Sequence, residues 1–288
     1  MGPVNLPEGR LIPINFAVVG SQNIRFLLRN ANKFIAIEKV LMMTNEKPVA
    51  MVIGATGGIG SATARLLASR GYRLLLVSRS EEKLQALAGE LDAPYIVADA
   101  TQFDQVDAAA KQALEQFGHV DAIINAVGSV LLKPAHITTS TELDQTIALN
   151  VTTAFAAIRA AYGVMRESGG SVVLFSSAAA RIGLPNHEAI AAAKGAVEGL
   201  VKSAAATYSG KNIRVNAIAP GLVETPLTEA IWSRPRSADA SRGLHPLGRL
   251  GKPDDIASLT SWLVDPQNSW ITGQVIGVDG GLAGLKTG

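Results

Sequence analysis

From residue 48 onward, short apolar runs alternate with longer stretches in which apolar residues recur at helical spacing. "VAMVI", "RLLLVS", "YIVA", "VDAIINAVG", "GSVVLFSS", "IRVNAIAPG" and "QVIGVDGG" have strand length and are rich in branched side chains. Between them lie "SATARLLASRG", "EEKLQALAGEL", "FDQVDAAAKQALEQFG" and an Ala-rich stretch over 189–208. Near-continuous apolar strands alternating with helices of ten or more residues predict right-handed βαβ crossovers and a parallel sheet covered on both faces. The expectation is an α/β, doubly wound sheet of about seven strands, a Rossmann fold, in one domain over residues 48–288.

Residues 1–47 break this pattern. Ile24, Leu27, Leu28, Ala31, Phe34 and Ile35 follow a rough helical spacing amid scattered Arg and Lys. A transit peptide would be Ser-rich and acid-poor, whereas this stretch has one serine and three glutamates. Upstream translated sequence before an internal start near Met42 or Met43 accounts for it equally well, and the segment is left out of the expected fold.

Composition narrows the function classes. Charged residues are 17% and the formal net charge is +2, so a basic footprint for nucleic acid or acidic membrane is not expected. Without cysteine, thiolate chemistry, disulfides and Cys-ligated metals are excluded. The four histidines, at 119, 136, 187 and 245, have no zinc-ligand spacing, so no metal is expected. No uninterrupted apolar stretch reaches the ~18 residues that span a bilayer. A cytoplasmic protein is the expectation.

In "VIGATGGIGSATARLLASRG", Gly54, Gly58 and Gly60, with Ile59 between the last two, fall where a strand gives way to a helix. Close approach of backbone to a pyrophosphate at a helix N-terminus requires residues without Cβ there. A tight βα turn with no ligand would use the same glycines. The second strand ends in Ser78 and Arg79 where an NAD site would carry a carboxylate, and Arg79 suits a 2′-phosphate. NADP is therefore expected over NAD, although an ordinary solvated cation at a helix entry would look the same.

These blocks together resemble the short-chain dehydrogenase/reductase family over about residues 48–285. They are "GATGGIG" (54–60), "ADAT" (98–101), "NAVG" (125–128), "LNV" (149–151), "VVLFSS" (172–177), the helix with Lys194, "RVNAIAPGLVETPL" (214–227) and "HPLGRLGKPDDIASLTSWLV…ITGQVIGVDGG" (245–281). The resemblance implies that Asp99 and Ala100 contact the adenine end and that Asn125 and Gly128 line the cofactor channel. It further implies that Pro220, Gly221, Val223 and Thr225 pack on the nicotinamide side and that Lys194 binds the ribose hydroxyls. Ile53 and Ala126 depart from the family's usual Thr and Asn. A homodimer or homotetramer through the Ala-rich helices near 151–167 and 189–208 is also implied, though such helices occur in monomers as well.

The family's catalytic set is Asn, Ser, Tyr and Lys. Asn150 and Ser177 match, as does Lys194, but the tyrosine position, 13 residues beyond Ser177, holds Ile190. Residues 190 and 194 are i,i+4 on one helix face, so the isoleucine is expected to point toward the substrate. Tyr72, Tyr95, Tyr162 and Tyr208 are followed at +4 by Leu, Asp, Arg and Asn, so no other Tyr-x-x-x-Lys exists. A positioned general acid is worth about 10²–10⁴ in rate. His187 and Glu188, just before the helix, are candidate substitutes, as is Lys194 acting through water; an exposed loop pair is the plainer reading of the first two. Two functions follow. One is an NADPH-dependent oxidoreductase whose chemistry tolerates the missing phenol, such as conjugated C=C reduction; the family's dienoyl-CoA reductases also lack that tyrosine. The other is a cofactor-binding protein with little turnover, acting as sensor, scaffold or partner subunit. Residues 225–248 are expected to form a long irregular lid, with Leu227 and Trp232 on an apolar substrate face.

Overall fold

The computed structural model describes residues 47–286, and the expectations for the N-terminal extension lie outside them. Seven parallel strands form one sheet in the order β3-β2-β1-β4-β5-β6-β7. They are β1 (Val49–Ile53), β2 (Arg73–Ser78), β3 (Tyr95–Val97), β4 (Ala122–Asn125), β5 (Gly170–Phe175), β6 (Ile213–Pro220) and β7 (Val275–Val278). The order reverses between β1 and β4, whose C-terminal ends pair Ile53 with Asn125. In an open α/β sheet that reversal leaves a crevice beyond the strand ends, and the candidate site lies there.

Helices cover both faces because alternate strand residues point to opposite sides. Met51 and Ile53 join the face packed by α3 (Phe103–Phe117), α5 (Thr153–Met165) and α6 (Glu188–Tyr208). Ala50 and Val52 join the opposite face, under α1 (Gly58–Ser69), α2 (Glu81–Leu91) and α9 (Pro253–Val264). Burial on both faces explains why the strands read as apolar runs rather than as alternating patterns.

The structure extends one expectation and corrects another. The Ala-rich helix expected near 151–167 is α5, and it is preceded by α4 (Ser140–Ile147) and a π-helical turn over Ala148–Thr152. Ser140–Met165 has the length and hydropathy to cross a bilayer, yet half of its most apolar window is buried in the protein, as in a core helix. Residues 225–248 are not irregular: a 3₁₀ turn over Pro226–Thr228, α7 (Glu229–Trp232) and α8 (Pro235–Leu244) fill most of the segment. Local signals favour this, with Pro235 opening the first turn of α8 and a Thr225/Thr228 capping pair before α7.

Candidate active site

The Gly-rich turn joins β1 to α1. Gly54 has φ +77°, a region favouring glycine, and a Cβ there would lie 2.8 Å from the Val127 nitrogen. A Cβ on Gly60 would lie 2.2 Å from the Gly54 carbonyl oxygen. These two glycines are required by the turn itself. Gly58 differs: a Cβ there would lie 2.7 Å from Thr225 Cγ2, so its absence lets the turn and the loop after β6 meet. The N-terminus of α1 has no side-chain cap and no acidic residue in its first turn. Its leading amides, those of Gly58, Ile59 and Gly60, thus present the donors and partial positive charge that suit an anion.

At the end of β2, the Ser78 and Thr56 hydroxyls are 2.7 Å apart. Thr56 was not singled out by sequence reasoning; a hydroxyl inside the Gly-rich turn, facing the end of the neighbouring strand, was the available signal. Arg79 is exposed and forms no ion pair among the described residues. After β3, Asp99 Oδ1 accepts from the amide and hydroxyl of Thr101, leaving Oδ2 available, while Ala100 is buried in the core. The buried Asn125 amide donates to Thr153 Oγ1 and accepts from the Val127 amide, so it holds the β4 turn in place.

Deeper in the crevice, Gly128, Asn150 and Lys194 converge. A Cβ on Gly128 would sit 3.0 Å from Asn150 Oδ1 and 3.4 Å from Lys194 Nζ. Asn150 lies in the π-helical turn, a distortion that frequently marks functional positions. Its Nδ2 donates to Ser129 Oγ and the Thr146 carbonyl, and its Oδ1 accepts from the Ser129 amide. Both amide protons are therefore engaged within the protein, and Oδ1 keeps one lone pair for a further donor. Ser129 is a partner that the sequence reading missed.

Lys194 is 8% exposed and its Nζ donates to the Phe175 carbonyl at 2.9 Å. Burial pushes its pKa down to about 8. Ile190, one turn earlier on the same helix, is 3% exposed and belongs to neither sheet-face core. It is thus covered rather than displayed on an open wall. Ser177 Oγ accepts from the Ala179 amide at 3.1 Å, which leaves its own hydroxyl proton to donate. The preceding Ser176 is buried and tied to Glu198, which also binds Arg181. His187 is the N-cap of α6; its Nδ1 lies 2.7 Å from the Pro185 carbonyl and so carries the proton. Positions 187, 190 and 194 fall on one helical stripe. Glu188, the first residue of α6, is exposed.

None of the four tyrosines is placed beside Lys194 by its contacts. Tyr162 on α5 and Tyr208 on α6 pack against each other with tilted rings, their centroids 5.4 Å apart. Tyr72 packs against the opposite core, where burial pushes its pKa up to about 12, and Tyr95 begins β3.

After β6, Pro220 ends the strand, Gly221 donates its N–H to the Val278 carbonyl, and Val223 bridges to Gly251. Val223 and Thr225 are buried, at 4% and 6% exposure. Trp232 donates its indole N–H to the Thr225 carbonyl, so it packs α7 onto this loop. Leu227 is 55% exposed.

A family profile described as Enoyl-(Acyl carrier protein) reductase matches residues 54–283. The chain is 34% identical over 254 residues to a 3-oxoacyl-(acyl-carrier-protein) reductase of Thermotoga maritima, covering 83% of this chain and 99% of that one. It is 35% identical over 239 residues to a D-threitol dehydrogenase of Mycolicibacterium smegmatis, covering 81% and 92%. It superposes on the crystal structure of levodione reductase with a TM-score of 0.79 at 31% identity, covering 84% and 99%. A variant of actinorhodin polyketide ketoreductase with NADPH gives 0.78 at 27% identity, covering 83% and 98%.

Proposed function

This chain belongs to the short-chain dehydrogenase/reductase family of NAD(P)-dependent oxidoreductases, and on that premise we propose an NADPH-dependent reductase of small carbonyl or conjugated enone substrates in which Ile190 stands where the catalytic tyrosine is usual. When bound, the dinucleotide supplies a hydride and a positioned nicotinamide. The residues present suit it. The uncapped amides opening α1 would hold the pyrophosphate, and Asp99 Oδ2 the adenine end. Ser78, Thr56 and Arg79, which has no ion pair among the described residues, would hold a 2′-phosphate, which favours NADP over NAD.

At the reacting end, Ser177 has a hydroxyl proton to donate to a substrate oxygen. The step in which a phenol would deliver a proton has no phenol. Lys194, with its pKa lowered to about 8, holds an exchangeable proton close to neutrality, and Asn150 Oδ1 beside it can accept from a bridging water. Late protonation of this kind suits reduction of a conjugated C=C, where hydride attacks carbon and a donor at Ser177 stabilises the enolate.

The observation carrying this reading is the buried pair Ile190 and Lys194 on one turn of α6, with every tyrosine engaged elsewhere. The test is NADPH consumption against a panel of ketones, quinones and enones, for the wild type and for Ile190→Tyr. Turnover of enones by the wild type is expected, with ketone reduction rising about 10²-fold or more in the variant. NADPH binding with no turnover of any substrate by the wild type would instead support a sensor or scaffold. The assembly we propose is a homodimer or homotetramer through the outer face of α5 and α6.

A further inference from the structure

Three of the four histidines reach solvent, but His245 is 4% exposed. It is the C-cap of α8, and its ring lies between the loop after β6 and the turn after β7. A Cβ on Gly221 would fall 2.6 Å from His245 Nε2 and 3.0 Å from Cδ2; one on Gly280 would fall 3.6 Å from Cδ2. Glycine at 221 therefore leaves the space that the imidazole fills.

The two ring nitrogens have distinct partners. Nδ1 is 2.6 Å from the Ser241 carbonyl, one turn back in α8. A carbonyl only accepts, so Nδ1 carries the proton. Nε2 is then the acceptor for the Leu222 amide, at 3.2 Å. One neutral tautomer satisfies a helix-end carbonyl and a loop amide together. Backbone bonds from the Leu247 amide to the Gly280 carbonyl and from the Gly248 amide to the His245 carbonyl fix the chain on which the ring sits.

We infer that His245 is a positioning residue: its imidazole ties α8 to the loop Pro220–Thr225 and makes that loop's hold on the nicotinamide end of the cofactor depend on an unprotonated Nε2. This rests on the NADPH reading above. Protonation would turn Nε2 into a donor facing the Leu222 N–H, which breaks the link. On the loop that the ring holds, the charged side chain is that of Glu224, which is exposed. From the β7 side, the Asp279 carboxylate accepts from the Gly281 and Ala283 amides. On α8, Arg242 pairs with Asp239, and beyond the ring Arg249 pairs with Asp255.

The test is NADPH affinity, read by fluorescence titration from about pH 8 to about pH 5, the span over which histidine side chains take up a proton. Wild type is compared with His245→Gln, which keeps a non-titrating acceptor, and with His245→Phe, which fills the space without one. Thermal melting verifies that each variant is folded. The 2′-phosphate takes a proton near pH 6 itself, so the wild-type Kd is read relative to that of His245→Gln at each pH. The ratio is expected to rise about tenfold on acidification, and His245→Phe to bind about tenfold more weakly at the upper pH, the effect of losing one buried hydrogen bond. A pH-independent ratio, or full affinity in His245→Phe, overturns the proposal. Should the wild type bind no NADPH at any pH, the cofactor reading fails and the clamp is judged on the free protein. There, nitrogen NMR must show the Nδ1–H tautomer and slower exchange of the Leu222 amide in wild type than in His245→Phe. An Nε2–H tautomer, or equal exchange, sinks it.

Discussion

Lys194 shows how much one buried side chain settles. An ammonium within the protein loses its hydration, and a single carbonyl partner at Phe175 replaces little of it. Its pKa falls to about 8 from 10.5. Between those values the unfolded chain holds a proton that the folded chain has released, so the stability of the fold rises with pH across that window. Relative to Lys194→Met, the wild type should gain roughly 3 kcal/mol in unfolding free energy from pH 8 to pH 10.5. Chemical denaturation at closely spaced pH values checks this; a constant difference between the two proteins would show that the ammonium is solvated. Ile190 stays outside this balance, because an isoleucine has no proton to exchange. The sequence put Asn150, Ser177 and Lys194 forward through the family resemblance, but the hydrogen bonds that engage both Asn150 amide protons were not legible, since Ser129 is 21 residues away in sequence.

Among elements, α1 and its turn show that glycines of one chain answer to different demands. Gly60 is pressed against the Gly54 carbonyl, whereas Gly89, exposed in α2, has nothing within 4 Å of a built Cβ. Gly60→Ala should therefore disrupt the turn and abolish cofactor binding. Gly89→Ala should stabilise the protein by about 1 kcal/mol, the gain in helix propensity. Thermal melting of both variants, with NADPH titration of the first, separates the two demands. The 220–225 loop and the helices after it were the least legible elements. Their sequence, rich in Pro, Ser, Arg and Ala, lacks the apolar periodicity that marks a core helix, and the capping and proline signals at 225–235 define helices too short for a periodic pattern to show.

For the whole molecule, the outer face of α5 and α6 leaves Phe155 at 50% and Tyr162 at 38% exposure beside a groove of about 220 Å³. Leu200, Tyr208 and Arg159 line the groove as well. An apolar strip of this kind on the described part of the protein fits the homo-oligomer proposed above. Replacing Phe155 and Tyr162 together by Glu should lower the oligomeric mass in light scattering. An unchanged mass would place the interface elsewhere.

The sequence by itself determined the sheet and its helices from Pro48 onward. Strand-length apolar runs and helical periodicity are local properties, and burial of a parallel sheet on both faces leaves them few other arrangements. It also determined that isoleucine stands 13 residues beyond Ser177, a matter of counting. Only the tertiary structure decided which glycines serve the turn, what engages Asn150, that residues 225–248 are helical, and that His245 sits against Gly221. Each of these depends on atoms brought together from separate parts of the chain, where the fit of one side chain into the space left by another has no trace in local pattern.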